Sequence, residues 1–239
     1  MLTDDQKASI KATPFGWLVM IDSGLKISMR VVKELSCRFV EKYCGFHIRS
    51  DVVSFSLIDV CVGIGLRIVG EKVDLEKESS DSKLRSLFGS NRVIITMIYD
   101  ELLKRVNDCN VDFCKLYILL GLSEFLLPNT KGSMCSGLFI VVDKYFSELC
   151  KYNWGGIVYR YLVWSLCEGA SSIWKESVPS NVYIVGCTYL LQVISIVSSK
   201  LNYLFRNNWV SSFRCLYCWL YVPVADNFYR KFKTELFIS

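Results

Sequence analysis

His47 is the only histidine in the chain, and it follows Cys44 by three residues. A cysteine–histidine pair is the smallest unit of thiol nucleophilic catalysis: the imidazole takes the proton, the thiolate attacks, and a third polar group orients the ring. Two residues of one local turn rarely reach that geometry, so His47 is read as structural or exposed. A serine triad fails because no other histidine is present to act as base. Cys215-Leu216-Tyr217-Cys218 is the only CxxC. It supplies half a zinc site with no second pair at ligand spacing, and it lacks the βαβ setting of a thiol–disulfide exchanger. Gly63-Ile64-Gly65 with Gly70 imitates a dinucleotide loop, but Ile68 stands where the third glycine belongs. These glycines are expected to end a helix and turn the chain. Five carboxylates lie in apolar context: Asp59, Asp112, Glu124, Asp143 and Glu168. Asp59 and Asp112 suit helix starts, and the other three are expected to point to solvent. No catalytic, cofactor-binding or metal-binding residue is therefore assigned, and the chain is read as a non-enzyme without a cofactor.

The elements that position these residues follow from periodicity. Thr13-Pro14-Phe15-Gly16-Trp17-Leu18 reads as a turn leading into an apolar run. Ser28 is a candidate N-cap for a helix in which Val31, Val32, Leu35, Phe39 and Val40 recur at helical spacing to Tyr43, with Gly45 placed to end it. Phe46–Ile48 and Val52–Phe55 flank Arg49-Ser50-Asp51 as a small hairpin. Ser56-Leu57-Ile58-Asp59 fits a capping box whose helix should close near Gly63 or Gly65. Residues 70–83 read as an exposed loop of mixed charge. Longer helices are expected over Arg92–Val106, from Val111 or Asp112 to Leu127 ahead of Pro128, over Gly137–Cys150 and over Trp154–Cys167. Residues 181–199 form a sixth, apolar almost all round as a central buried helix would be. No charged residue occurs from Val178 to Ser199, so a membrane span is the competing reading of that stretch. Its polar residues and weakly anchored flanks favour the core helix.

Composition bounds the class. Hydrophobic residues make up 52% and charged residues 21% of 239, which excludes disorder for most of the chain. The net charge of +5 suggests nucleic-acid binding until it is mapped. Lys200, Arg206, Arg214, Arg230, Lys231 and Lys233 face only Asp226 and Glu235 beyond Val193, so the tail carries most of the excess. No basic stripe precedes it, which weighs against direct nucleic-acid binding. The charged N-terminus is no signal peptide, and no N-glycosylation triplet occurs. Eleven cysteines, scattered singly in apolar segments, read as reduced thiols of an intracellular protein.

Several of these segments, taken in order, carry a family likeness. The Thr13–Leu18 motif, Gly45-Phe46, Val53-Ser54-Phe55-Ser56 with Asp59-Val60, and Gly65-Leu66 with Gly70 and Val73 open the series. Asp112-Phe113 with Leu116-Tyr117, Asn153-Trp154-Gly155, and Gly186-Cys187 with Leu190-Leu191-Gln192 complete it. The chain resembles the aminotransferase-like plant mobile domain, and the similar helical domain ahead of Ulp1-type proteases in plant transposon proteins. The resemblance covers about residues 8–192. It implies a transposon-derived nuclear protein, linked to transposon silencing, genome stability or development, with no established catalytic residues. "Aminotransferase-like" does not imply activity, since a pyridoxal enzyme needs a Schiff-base lysine and a phosphate cup in a large α/β fold.

The expected fold is mainly α: a single compact helical domain over residues 1–192 with a small N-terminal β-hairpin. Residues 193–239 form a poorly matching tail, loosely packed or mistranslated. Its abrupt composition suggests translated intron or frameshifted sequence, which sequencing the transcript across codons 190–195 would test. The expected function is an interaction module with a protein partner. Phe15, Trp17, Trp154 and Trp164 are candidate anchors, although burial preferences favour core packing for all four. The alternatives are the N-terminal remnant of a transposon-encoded Ulp1-type SUMO protease protein lacking its catalytic domain, and a membrane-associated protein spanning with residues 181–199.

Overall fold

The computed structural model describes residues 2–21, 27–48, 50–90, 92–106, 111–129, 132–175 and 184–195. In chain order the elements are α1 (Asp4–Lys11), α2 (Met29–Cys37), β1 (Phe39–Val40), β2 (Gly45–Ile48), β3 (Asp51–Ser54), α3 (Leu57–Ile64), α4 (Lys83–Ser86), α5 (Ile95–Lys104), α6 (Val111–Gly121), α7 (Ser136–Val142), α8 (Phe146–Leu149) and α9 (Trp154–Lys175). Residues 188–195 are also helical and are named α10. The fold is mainly α with a small antiparallel sheet near the N-terminus, as the periodicity predicts. Two compact units emerge. Unit one comprises Met1–Leu25, Arg67–Leu162 and Val185–Cys187; unit two comprises Lys26–Leu66, Val163–Ile184 and Thr188–Ser239.

Unit one is built around aromatic and leucine side chains. Thr3 and Gln6 cap α1 reciprocally: the Gln6 amide donates to Thr3 Oγ1 at 3.2 Å, and the Thr3 amide donates to Gln6 Oε1 at 2.9 Å. The Thr13–Leu18 motif turns into a 3-10 segment, Gly16–Met20. It delivers Phe15, fully buried, edge-on to Trp154 at 4.8 Å between ring centroids. Trp154 also packs edge-on against Tyr152 at 5.9 Å, and its indole N–H donates to the Leu149 carbonyl at 2.8 Å. The polar end of the largest core side chain is thereby satisfied. On α5, Ile98 and Leu102 face inward. α6 contributes Phe113, Leu116, Ile118 and Leu119 to the core. It does not run unbroken to Leu127 as expected. It relaxes into a π-turn over Leu122–Leu126, where the Leu127 amide reaches the Leu122 carbonyl at 2.8 Å. The wider turn precedes Pro128, which has no N–H to continue any ladder.

Two distant segments of unit one are zipped together. The Glu71 amide donates to the Lys151 carbonyl, the Asn153 amide to the Glu71 carbonyl and the Gly155 amide to the Arg67 carbonyl, each at 2.8 Å. Glu71 and Tyr152 form a parallel bridge at its centre. Gly70 makes this close approach possible: its φ is +127°, and a Cβ there would run into the Lys151 carbonyl oxygen. Gly70→Ala is therefore expected to cost about 2–3 kcal/mol through strain and backbone displacement together, read as a lowered thermal midpoint. The stretch 70–83 is mostly exposed, as expected of a loop, yet Val73, Ser79 and Ser82 are buried along it.

In unit two the expected helix to Tyr43 stops six residues earlier, at Cys37. The buried Ser36 hydroxyl bonds back to the Val32 carbonyl at 2.7 Å, and Phe39 then leaves the helix for the sheet. Sheet order is β1-β2-β3, with Phe39 opposite Phe46 and Phe46 opposite Val53. The expected two-stranded hairpin thus gains a third strand. Gly45 belongs to β2 instead of ending a helix; a Cβ on it would lie 2.5 Å from the Val53 carbonyl oxygen. Phe39, Phe46 and Phe55 are buried, with successive centroids 5.5 and 6.0 Å apart. Each such burial is worth about 1.5–3 kcal/mol, enough to outweigh the last turns of a helix.

The capping box at the start of α3 forms as its sequence predicts. Asp59 accepts from both the amide and the hydroxyl of Ser56 at 2.7 Å. Gly65, at φ +74°, closes the helix. Asp59→Ala should lower stability by about 1 kcal/mol, measurable by urea unfolding followed by circular dichroism. Along α10, Leu190, Leu191, Val193 and Ile194 are buried, and Leu190 lies close over Gly63. Of the sixth helix expected over 181–199, residues 188–195 are helical while 184–187, with Gly186 at φ +91°, are not. Residues 181–183 and 196–199 lie outside the described residues, as does the CxxC at 215–218. Among the described residues no helix is long and apolar enough to cross a membrane.

Candidate functional site

A dense polar constellation of unit one centres on Asp143, where the expectation of a solvent-facing carboxylate and of one helix over 137–150 both fail. α7 ends at Val142 with Asp143 as its C-cap, and α8 starts afresh at Phe146. The Asp143 carboxylate is drawn inward by three donors at the start of α4. Oδ2 accepts from the Lys83 amide at 2.6 Å, the Ser82 hydroxyl at 3.1 Å and the Leu84 amide at 3.4 Å. Oδ1 receives the Lys115 ammonium at 3.2 Å, and the same ammonium donates to the Asp143 carbonyl. Both side chains are largely buried, at 12% and 16% exposure. Burial alone pushes the Asp143 carboxyl up, but the bonds from Lys115, the Lys83 amide and Ser82 outweigh it and hold it below the usual carboxylate range. A carboxylate kept ionised with its lone pairs engaged is a poor general base. Its chemistry is that of a clamp joining α4, α6 and α7.

A second cluster follows one residue later. The Lys144 ammonium donates to the Tyr152 hydroxyl at 2.5 Å. This bond, opposed by burial and assisted by Tyr152, Glu71 and Glu148, raises the lysine above its ordinary value. A lysine that is to act as a nucleophile must instead be held neutral.

The Cys44–His47 pair lies in unit two. His47 is exposed on β2, on the strand face opposite the buried Phe46. Cys44 ends the 3-10 turn Glu41–Tyr43 in a left-handed conformation, φ +45°. Glu41 and Cys44 act on Cys167 of α9, whose thiol is pushed up by burial first and then by those two neighbours. Burial also raises the thiols of Cys61 and Cys135. Raised thiols stay protonated and unreactive. No disulfide joins the described cysteines, and no three His, Cys, Asp or Glu residues among the described ones gather as a metal site. Glu124 and Glu168 are exposed, and Asp112 lies in the first turn of α6.

The candidate anchors divide. Phe15 and Trp154 are fully buried and serve the core. Trp17 is partly covered and tilts against Phe125 at 5.3 Å, its indole N–H buried without a partner. Trp164 differs from the expected core packing: it stands 55% exposed on α9. α5 adds a pair that the periodicity did not single out. Tyr99 and Leu103, one turn apart, are 53% and 56% exposed, on the side away from buried Ile98 and Leu102. The signal was present in the spacing: each follows a core position by one residue, about 100° around the helix.

Residues 1–192 match the family described as a domain of unknown function, DUF8566. The chain belongs to that family. No curated protein and no solved structure matches it. The DUF8566 match ends within α10, and that helix continues to residue 195 with Val193 and Ile194 buried.

Proposed function

We propose that this DUF8566 chain is a non-enzymatic helical interaction module of plant mobile-domain type, transposon-derived, acting in the nucleus through a protein partner in transposon silencing, genome stability or development. The observation that supports the interaction is the exposed Tyr99–Leu103 pair on α5, two large apolar side chains one turn apart on the helix surface, with Tyr99 of a type favoured at interface centres. The polar clusters support the non-enzymatic half. Lys115 is spent on Asp143, Lys144 is held charged by Tyr152, and the Asp143 carboxylate is occupied by its four donors. Each of these groups has a structural task. The nuclear and transposon setting rests on the family resemblance of the ordered motifs between Thr13 and Gln192.

The test compares the wild-type chain with the Tyr99→Ser/Leu103→Ser variant as baits in nuclear extract, with bound proteins quantified by mass spectrometry. Both exchanges sit on an exposed face, so stability should change by no more than about 0.5 kcal/mol each. A chromatin-associated protein enriched on wild type should fall at least about tenfold on the variant, the equivalent of 1.4 kcal/mol of binding. Equal recovery on both baits would remove α5 as the docking face. Failure to enrich any nuclear protein on wild type would sink the interaction reading itself.

A further inference from the structure

We draw no further inference here: the strongest candidate, the Glu41–Cys44–Cys167 cluster linking the turn between β1 and β2 to α9 within unit two, rests only on the raised titration of one thiol, with nothing beside it that points to an oxidant, a metal or a ligand.

Discussion

Trp154→Ala is expected to lower the unfolding free energy by about 4 kcal/mol, the largest effect of any single exchange considered. Three losses combine at this position. The fully buried indole leaves a void at the start of α9. Its edge-on contacts to Phe15 and Tyr152 disappear, each worth about 0.5–1.5 kcal/mol beyond the area buried. The Leu149 carbonyl loses the N–H that satisfies it at the end of α8. Trp154→Phe separates these terms in part, because it keeps one aromatic ring in the core while removing the donor and the rest of the indole; about half the loss should return. Trp164→Ala is the control. That tryptophan is 55% exposed, and its removal should shift the urea midpoint by a small fraction of the Trp154 effect. Equal shifts for the two tryptophans would contradict the packing described.

Asp143→Ala should cost about 3 kcal/mol. Removing one member of a largely buried ion pair leaves Lys115 charged and uncompensated, and it also takes the acceptor from the Lys83 and Leu84 amides at the start of α4. The effect should fall toward the lower end of the range for buried pairs because both side chains keep some contact with water. Its pH dependence has a definite sign. The carboxyl sits below its ordinary range in the folded chain, so the unfolded chain binds more protons in acid. The stabilisation is complete above the ordinary aspartate range and is lost as the pH falls through the depressed folded value. Thermal midpoints of wild type and Asp143→Asn, measured from neutral pH downward, should therefore converge in acid. A difference that stayed constant would show that the charge of Asp143 contributes nothing.

Local signals are legible in the sequence and tertiary ones are not. The Ser56–Asp59 box, a helix stop at Gly63 or Gly65 and the presence of a hairpin depend on residues within a few positions of one another and are legible, whereas the choice of Gly65 and the pairing of Asp51 with Ile48, which takes Asp51 out of the turn, are not. The early end of α2 was not, because Phe39 continues the helical period and only its pairing with Phe46 shows why it leaves. The break between α7 and α8 was hidden for a similar reason. Asp143-Lys144-Tyr145 contains no glycine or proline, and the donors that capture Asp143 lie 60 and 28 positions away in the chain. The candidate surface was half legible. Hydrophobicity placed Tyr99, Leu103 and Trp164 in helices, but those helices have more apolar residues than their buried faces can hold. Which ones are left outside depends on what each helix packs against.

The strand-like seam between residues 67–71 and 151–155 bears on how unit one comes to exist at all. Its two sides are separated by about 80 residues, so the seam closes a large loop, and that entropy must be met before any of its amides is rewarded. On the ribosome the first side waits for the second to emerge, at about 5–20 residues per second. During those seconds the Glu71 amide and the Arg67 and Glu71 carbonyls lack the partners they find at Lys151, Gly155 and Asn153. The nascent chain thus passes through an interval of unsealed backbone, when it is most open to chaperone capture or to clumping with its neighbours.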